Sequence, residues 1–177
     1  MTWEKNPLIR PERVADYPAI RQINVRAFDD RSAEADLVEA IRREPDFIPA
    51  LSLVAELDGA VVGHILFSPI VIEAERGVVP AISLAPMAVL PEYQNQGIGS
   101  ALVRHGLAEC ARLGQRIAIV LGHLAFYPRF GFAPASRWGL ESPWPEAGDA
   151  FMAMELKPEA LQNVSGRVRY PPIFDEV

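Results

Sequence analysis

One stretch decides the fold: Val89-Leu90-Pro91-Glu92-Tyr93-Gln94-Asn95-Gln96-Gly97-Ile98-Gly99-Ser100, in which an apolar run gives way to a polar loop and then to a helical pattern. A loop of this kind directs several free backbone N–H groups toward one point, and the helix macrodipole adds positive potential there. Gly97 and Gly99 carry no Cβ atoms that would hold an anion away from the backbone. The stretch therefore predicts an anion site, most simply a phosphate site, at the start of a helix.

The neighbouring residues exclude the common phosphate loops. A Walker loop needs a Gly-Lys pair after its glycines, and none follows Gly99. A dinucleotide fingerprint needs a third glycine where Leu102 stands. What remains is Gln-x-x-Gly-x-Gly after a long strand, and the competing interpretation of the two glycines is a strand-to-helix turn without a ligand.

Composition sets the broad class of protein. The 177 residues are enough for one domain with a substantial core, and half of them are hydrophobic. The formal net charge of −6 argues against a nucleic-acid backbone as the main partner. No apolar run is long enough to span a membrane, and the N-terminus lacks the apolar segment of a signal peptide. Because Cys110 is the only cysteine, an intrachain disulfide is impossible, and we expect a cytoplasmic protein.

Apolar periodicity and turn residues predict an α/β protein with a mixed sheet. We expect a first helix capped by Asp16 and an interruption of the third strand by Pro69. Pro86 cannot donate to a ladder, so pairing should fail or bulge near it. The predicted strands are residues 8–10, 51–57, 60–67, 78–90, 116–121, 132–135 and 151–156, and the later helices are residues 32–43, 98–113 and 124–130. We expect residues 168–170 of the tail to form an added edge strand; the alternatives are that the tail covers a pocket or makes a subunit contact.

Two motifs carry a resemblance to a known family. Residues 88–99 closely resemble the acyl-CoA pyrophosphate loop of the GNAT N-acetyltransferase superfamily. Phe126-Tyr127-Pro128-Arg129-Phe130-Gly131-Phe132 is similar to that family's Tyr-x-x-x-Gly-Phe motif. The resemblance covers about residues 8–157 of a single domain spanning 1–177, with a tail at 158–177. It implies the GNAT fold, a mixed central sheet flanked by helices whose strands splay at the cofactor site.

The same resemblance implies acetyl-CoA as the acyl donor and assigns the residues that would hold it. The main chain of Met87, Ala88 and Val89 should pair with the pantetheine arm like a missing strand. The loop should bind the diphosphate through its backbone amides, with the Gln94 side chain beside them; these amides belong to Asn95, Gln96, Gly97, Ile98, Gly99 and Ser100. No metal is expected, because the three histidines at 64, 105 and 123 lack ligand spacing.

The resemblance makes Tyr127 the general acid, since a phenol keeps its proton at neutral pH and can give it to a thiolate. The base stays open. Many family members carry a glutamate where this chain has Ser83, and an asparagine where it has Val120. The remaining candidates are a water relay through Ser83 and main-chain carbonyls, and the side chains of Glu56, Glu73, His64 and His123. His123 lies just past a strand end, where a cleft should open, whereas His64 in an apolar strand is expected to be a core histidine.

These observations predict transfer of an acetyl group to a primary amine of a small molecule or peptide, by direct attack in a ternary complex. We expect no nucleic acid or membrane as partner, and a homodimer is an open possibility. The acceptor pocket should be lined by the first two helices and the loop that holds Trp138 and Trp144. The alternatives are a non-catalytic acyl-CoA sensor of the same fold, an ATP-binding protein, and transfer to a protein terminus or an RNA; the acidic balance disfavours RNA.

Overall fold

The computed structural model describes residues 6–176. Residues 1–5, where no signal segment is expected, lie outside the described residues. Within residues 6–176, no helix has the length and apolar character needed to cross a membrane.

Three α-helices and nine strands make up the main regular elements of residues 6–176. The helices are α1 (Tyr17–Ala27), α2 (Ala33–Arg42) and α3 (Ile98–Arg112). The strands are β1 (Leu8–Pro11), β2 (Ser52–Leu57), β3 (Ala60–Ala74), β4 (Gly77–Val89), β5 (Ile117–Leu121), β6 (Ala133–Pro134), β7 (Leu140–Glu141), β8 (Phe151–Glu155) and β9 (Gly166–Arg169).

The strands form one mixed sheet in the order β1-β2-β3-β4-β5-β8-β6, with β9 added on β3 and β7 on β9. The β4–β5 pair is parallel because α3 carries the chain across the sheet between them. The β2–β3 and β3–β4 pairs are antiparallel hairpins. The predicted mixed α/β architecture is therefore confirmed.

Helices cover both faces of the sheet. On one face α3 packs Leu102, Val103 and Gly106 against the strands, and the Phe67 ring lies so close to Gly106 that a Cβ there would overlap it. On the other face α1 and α2 bury residues such as Ile20 and Ile41 against β2 and β3. The ends of these helices therefore meet the sheet from opposite sides.

The β4 strand changes register and partner at Pro86, as its sequence predicts. Opposite β3, Leu84 pairs with Phe67 but Met87 pairs with Ile65, so β4 bulges between them. Pairing with β5 covers only residues 82–84 of β4. Beyond Leu84 the two parallel strands diverge, and no other strand within residues 6–176 pairs with that edge of β4.

Three local predictions are wrong. The β3 strand continues through Pro69. This residue lies between the last β3 residue that pairs with β2 and the first that pairs with β9, so β3 pairs with β4 alone at this point. Asp16 precedes α1, but its carboxylate accepts bonds from Arg10 and from the Arg13 N–H instead of capping that helix. The helix expected at 124–130 is only a 3-10 turn, Tyr127–Phe130, ended by Gly131.

The C-terminal tail adds a strand to the sheet, as expected, but β9 is an inner strand over residues 166–167, because β7 pairs with its other side. The tail also covers part of the sheet. β9 pairs with the distal half of β3. After it, Tyr170 packs on Trp144 with ring centroids 4.8 Å apart, and Phe174 packs on Tyr170 at 4.9 Å. Phe174 also contacts the α1–α2 cluster, so the tail joins the helical face of the sheet to the loop before β8.

Candidate functional site

A cleft of about 610 Å³ opens where β4 diverges from β5. It is bounded by the end of α1, the distal part of β4, the loop that starts α3, and the turn after β5. The lining residues are Ala27, Phe28, Met87, Ala88, Val89, Gln94, Asn95, Gly97, Gly99, Ser100, His123, Phe126 and Arg129.

One wall of the cleft is the free edge of β4. The Leu90 N–H donates to the Val62 carbonyl across the β3–β4 pair. Because antiparallel residues alternate in the direction of their peptide groups, those of Ala88 face β3 while those of Met87 and Val89 face away from it. The Gln94 Nε2 atom donates to the Val89 carbonyl at 2.9 Å. This edge can therefore bind an extended amide-containing chain as a further strand would.

The second wall is the N-terminus of α3. The helix is preceded by Gly97 in a left-handed conformation (φ 83°), and no side chain caps its first turn. The first intrahelical bond runs from the Ala101 N–H to the Gly97 carbonyl, so the N–H groups of Ile98, Gly99 and Ser100 have no partner within the helix. Free amides on a helix N-terminus make an anion-binding site.

The two loop glycines occupy positions with different structural requirements. Gly97 needs its positive φ, while a Cβ there would meet nothing within 4 Å. Gly99 is helical, and a Cβ there would lie in ordinary contact, 3.5 Å from Met87 Cε and 3.7 Å from Phe126 Cζ. Backbone conformation therefore requires glycine at 97, whereas position 99 has room for a methyl group.

The structure brings together most of the residues expected to hold the cofactor. Those that line the cleft are Met87, Ala88, Val89, Gln94, Asn95, Gly97, Gly99 and Ser100. Two side chains turn away from it. Gln96 donates to the Glu92 carbonyl, and Ile98 is buried in the core, so either residue can contribute only main-chain atoms.

Tyr127 lies beside the cleft instead of lining it. Its side chain is buried, and its ring packs edge-on against Phe126 at 5.0 Å and Phe132 at 5.7 Å. The ring also lies directly against Gly122, the residue after β5, where a Cβ would overlap it. Burial raises the pKa of Tyr127 to about 12, so its hydroxyl is protonated at neutral pH.

Only one of the four candidate bases reaches the cleft, and it is His123. Glu56 is paired with Arg10 at 2.8 Å, and Glu73 is paired with Arg169 at 2.9 Å on the distal part of β3. His64 is fully buried under α1, between Ser52 and Asn24, and burial lowers its pKa. His64 is therefore a core histidine.

The His64 ring belongs to a buried polar network. Glu12 receives two bonds from Arg42, at 2.7 and 2.9 Å, and one from the Ser52 hydroxyl at 2.6 Å. Burial opposes ionisation of Glu12, but the bonds from Arg42, His64 and Ser52 outweigh it and hold its pKa at about 2. This network ties β2 and β3 to α2, below the cleft.

Ser83 lies on the sheet face opposite α3 and pairs across the strands with Ser68. Both serines are buried, and within the described part of the chain neither Oγ has a hydrogen-bond partner. The Tyr170 hydroxyl approaches Ser83, which slightly opposes the rise in the pKa of Tyr170 to about 12 caused by burial. Two buried serine hydroxyls beside that of Tyr170 make a polar place suited to an ordered water molecule.

The described residues contain neither a reactive cysteine nor a metal-binding cluster. Cys110 is buried in the core, and burial raises the pKa of its thiol to about 12. No group of three or more His, Cys, Asp or Glu side chains within residues 6–176 is arranged to hold a metal ion.

Four lining residues were not assigned to the site from the sequence. Ala27 and Phe28 come from the end of α1, one of the two helices expected at the acceptor pocket, although neither residue was singled out. Phe126 and Arg129 belong to the second motif, in which Arg129 is the only charged residue. Trp138 and Trp144, expected near the acceptor, do not line this cleft.

Known proteins share this chain's sequence pattern and fold. Residues 49–134 match the family described as "Acetyltransferase (GNAT) domain". The chain is 38% identical over 158 residues to "Uncharacterized N-acetyltransferase YjhQ" of Escherichia coli (strain K12), an alignment that covers 88% of this chain and 87% of that protein.

Two solved structures superpose closely. The E. coli GNAT family N-acetyltransferase YhbS in complex with CoA gives a TM-score of 0.87 at 34% identity, covering 96% of this chain and 92% of that one. A Brucella melitensis GNAT acetyltransferase in complex with acetyl-CoA gives 0.77 at 34% identity, covering 97% and 99%. The chain belongs to the GNAT acetyltransferase family.

Proposed function

We propose that this protein transfers the acetyl group of acetyl-CoA to a primary amine of a small molecule or peptide. One observation carries the proposal: the free edge of β4 and the free amides of the α3 N-terminus face the same cleft. The first matches the amide-containing arm of CoA, and the second matches its diphosphate. The complexes of YhbS with CoA and of the Brucella enzyme with acetyl-CoA support the same ligand.

Acetyl-CoA supplies a thioester that the amine attacks directly within a ternary complex. Met87 and Val89 would hold the arm along β4, and holding both reactants in line lowers the entropic barrier. A main-chain N–H on this edge would donate to the oxygen that becomes negative during attack. Because Cys110 is buried and its thiol pKa is raised, the chain offers no cysteine for an acyl-enzyme.

Two proton transfers must be assigned to side chains. Tyr127, which lies beside the cleft and is protonated at neutral pH, gives its hydroxyl proton to the departing thiolate as charge develops on the sulfur. The proton lost by the amine goes to His123, which lines the cleft, or to water held by Ser83 and Ser68. An amine of modest pKa would need no stronger base.

The direct test measures thiol release from acetyl-CoA across a panel of primary amines, with products identified by mass spectrometry. Amine-dependent release with one acetyl group added to nitrogen supports the proposal. The Tyr127→Phe variant keeps the buried ring and should lose turnover with little change in the dissociation constant for CoA. Binding of acetyl-CoA without release on any amine would overturn the transferase assignment.

A second candidate, an acyl-CoA sensor of the same fold, is favoured by one observation. The cleft contains no carboxylate among its lining residues, and the strand position where many relatives have glutamate is Ser83. A sensor would bind acetyl-CoA and CoA with different affinities and release no thiol. An acetylated product would exclude this candidate.

A further inference from the structure

Two arginines beside the cleft are held by aromatic rings of the second motif. The Arg129 guanidinium lies 4.8 Å from the centre of the Phe126 ring and donates to the Ala125 carbonyl at 3.2 Å. The Arg104 guanidinium lies 5.1 Å from the centre of the Phe130 ring. The two rings pack edge to face with centroids 5.1 Å apart, so both members of the arginine pair (Arg104 and Arg129) pack on the same aromatic cluster.

Neither member of the arginine pair has an acidic partner among the residues that the structure describes. Of the ion pairs formed within residues 6–176, none includes Arg104 or Arg129, although the chain has an excess of acidic groups. Both line a groove of about 370 Å³, and Arg129 lines the cleft as well, so Arg129 lies between the groove and the cleft. The groove also contains Glu155, whose Oε2 accepts the Leu161 N–H. Two cations are thus available to an anionic ligand that extends out of the cleft.

The arginine pair lies beyond the diphosphate site. The Phe126 ring that carries Arg129 reaches to 3.7 Å from a Cβ built on Gly99. Arg104 follows Ser100 by four residues on α3, which is about 6 Å along a helix axis. A ligand whose arm follows β4 and whose diphosphate binds the helix amides would direct its other end toward this pair.

We propose that Arg104 and Arg129 bind the 3′-phosphate of acyl-CoA; this inference rests on the proposed function. In CoA the pantetheine arm and the 3′-phosphoadenosine leave the diphosphate in opposite directions. With the arm on β4, the 3′-phosphate is the remaining anionic group, and it carries up to two negative charges. Arginine is suited to it because the planar guanidinium can donate two parallel bonds to phosphate oxygens.

Calorimetric titration with CoA and with 3′-dephospho-CoA tests this assignment. The wild-type protein should bind CoA roughly tenfold more tightly or better, as expected for charge-assisted bonds at a partly exposed site. The Arg104→Gln, Arg129→Gln double variant should bring the two dissociation constants within about twofold, by weakening CoA alone. Both side chains are exposed, so folding should be unaffected.

A matched control is available in Arg137, which also lies over an aromatic ring, at 5.9 Å from the centre of Trp138, but lines a different cavity. Arg137→Gln should keep the wild-type preference for CoA. The preference surviving in the double variant would overturn the inference. Equal weakening of CoA and 3′-dephospho-CoA would place the pair on the diphosphate or the adenosine instead and also overturn it. Failure of the wild-type protein to bind CoA would remove the proposed function itself.

Discussion

Alanine substitutions at Gly97 and Gly99 should separate backbone strain from ligand contact. At Gly97 the φ of 83° is retained only at a cost to an L-residue of about 1–2 kcal/mol, and alanine is a poor residue before a helix. At Gly99 the backbone is helical and the added Cβ makes ordinary contacts with Met87 and Phe126. Alanine there should leave the free energy of unfolding unchanged or raise it by up to ~1 kcal/mol, since alanine favours helix over glycine.

The same pair should differ in ligand affinity. Relief of strain in Gly97→Ala would turn the first amides of α3 away from their common point, so its affinity for CoA should fall about tenfold or more. Gly99→Ala keeps those amides in place and should bind CoA within about threefold of the wild-type protein. Urea unfolding and calorimetric titration measure the two quantities separately. Equal losses of stability in both variants, or unchanged CoA affinity in Gly97→Ala, would refute this reasoning.

Further predictions concern catalysis, acid stability and core packing. Tyr127→Phe should lower kcat about a hundredfold with a CoA dissociation constant close to that of the wild-type protein, and unchanged kcat in a thiol-release assay would remove Tyr127 as the acid. The free energy of unfolding should fall as the pH drops below 6.5, because His64 is protonated there in the unfolded chain but not in its buried native position. It should fall again between pH 4.5 and 2, because Glu12 takes up a proton in the unfolded chain but stays ionised in the folded protein. The Glu12 contribution is up to about 3 kcal/mol, and urea titrations at several pH values measure it; a Glu12→Gln variant that kept the lower step would contradict the assignment. Gly106→Ala should cost about 1–3 kcal/mol because the methyl group overlaps Phe67, and a normal melting temperature would contradict that packing.

The loop and the strand break before it could be predicted from the sequence because each rests on a local chemical rule. Pro86 lacks the N–H that a ladder needs, and the β3–β4 register shifts beside it. Gly97 permits the left-handed residue that precedes α3. Rules of this kind depend on one or two neighbouring residues, so no knowledge of the tertiary structure is required.

Other parts of the site depend on distant residues and could not be predicted in this way. The rule that a proline ends a strand failed at Pro69 because β3 has only one neighbouring strand there. Phe28 reaches the cleft only because α1 packs across β3 and β4. Trp144 is covered by Tyr170 from the tail, so the tail's path decides its surroundings.

Among the four candidate bases, the sequence places His123 just past a strand end and His64 within an apolar strand, but it does not separate His123 from Glu56 or Glu73. In the folded protein, burial and ion pairing distinguish the candidate bases. His64 is fully buried and Glu56 is paired with Arg10, whereas His123 lines the cleft. The positioning of a titratable side chain is thus a tertiary property, even where its motif is local.

Amide hydrogen exchange with and without acetyl-CoA tests most directly that the ligand lies between the free edge of β4 and the start of α3. Exchange should slow at the N–H groups of Met87 and Val89 and at those of residues 98–100, while residues 74–79 and 161–165, which line a separate cavity, keep their rates. Unchanged exchange at both walls of the cleft under saturating acetyl-CoA, or protection confined to the other cavity, would contradict the account.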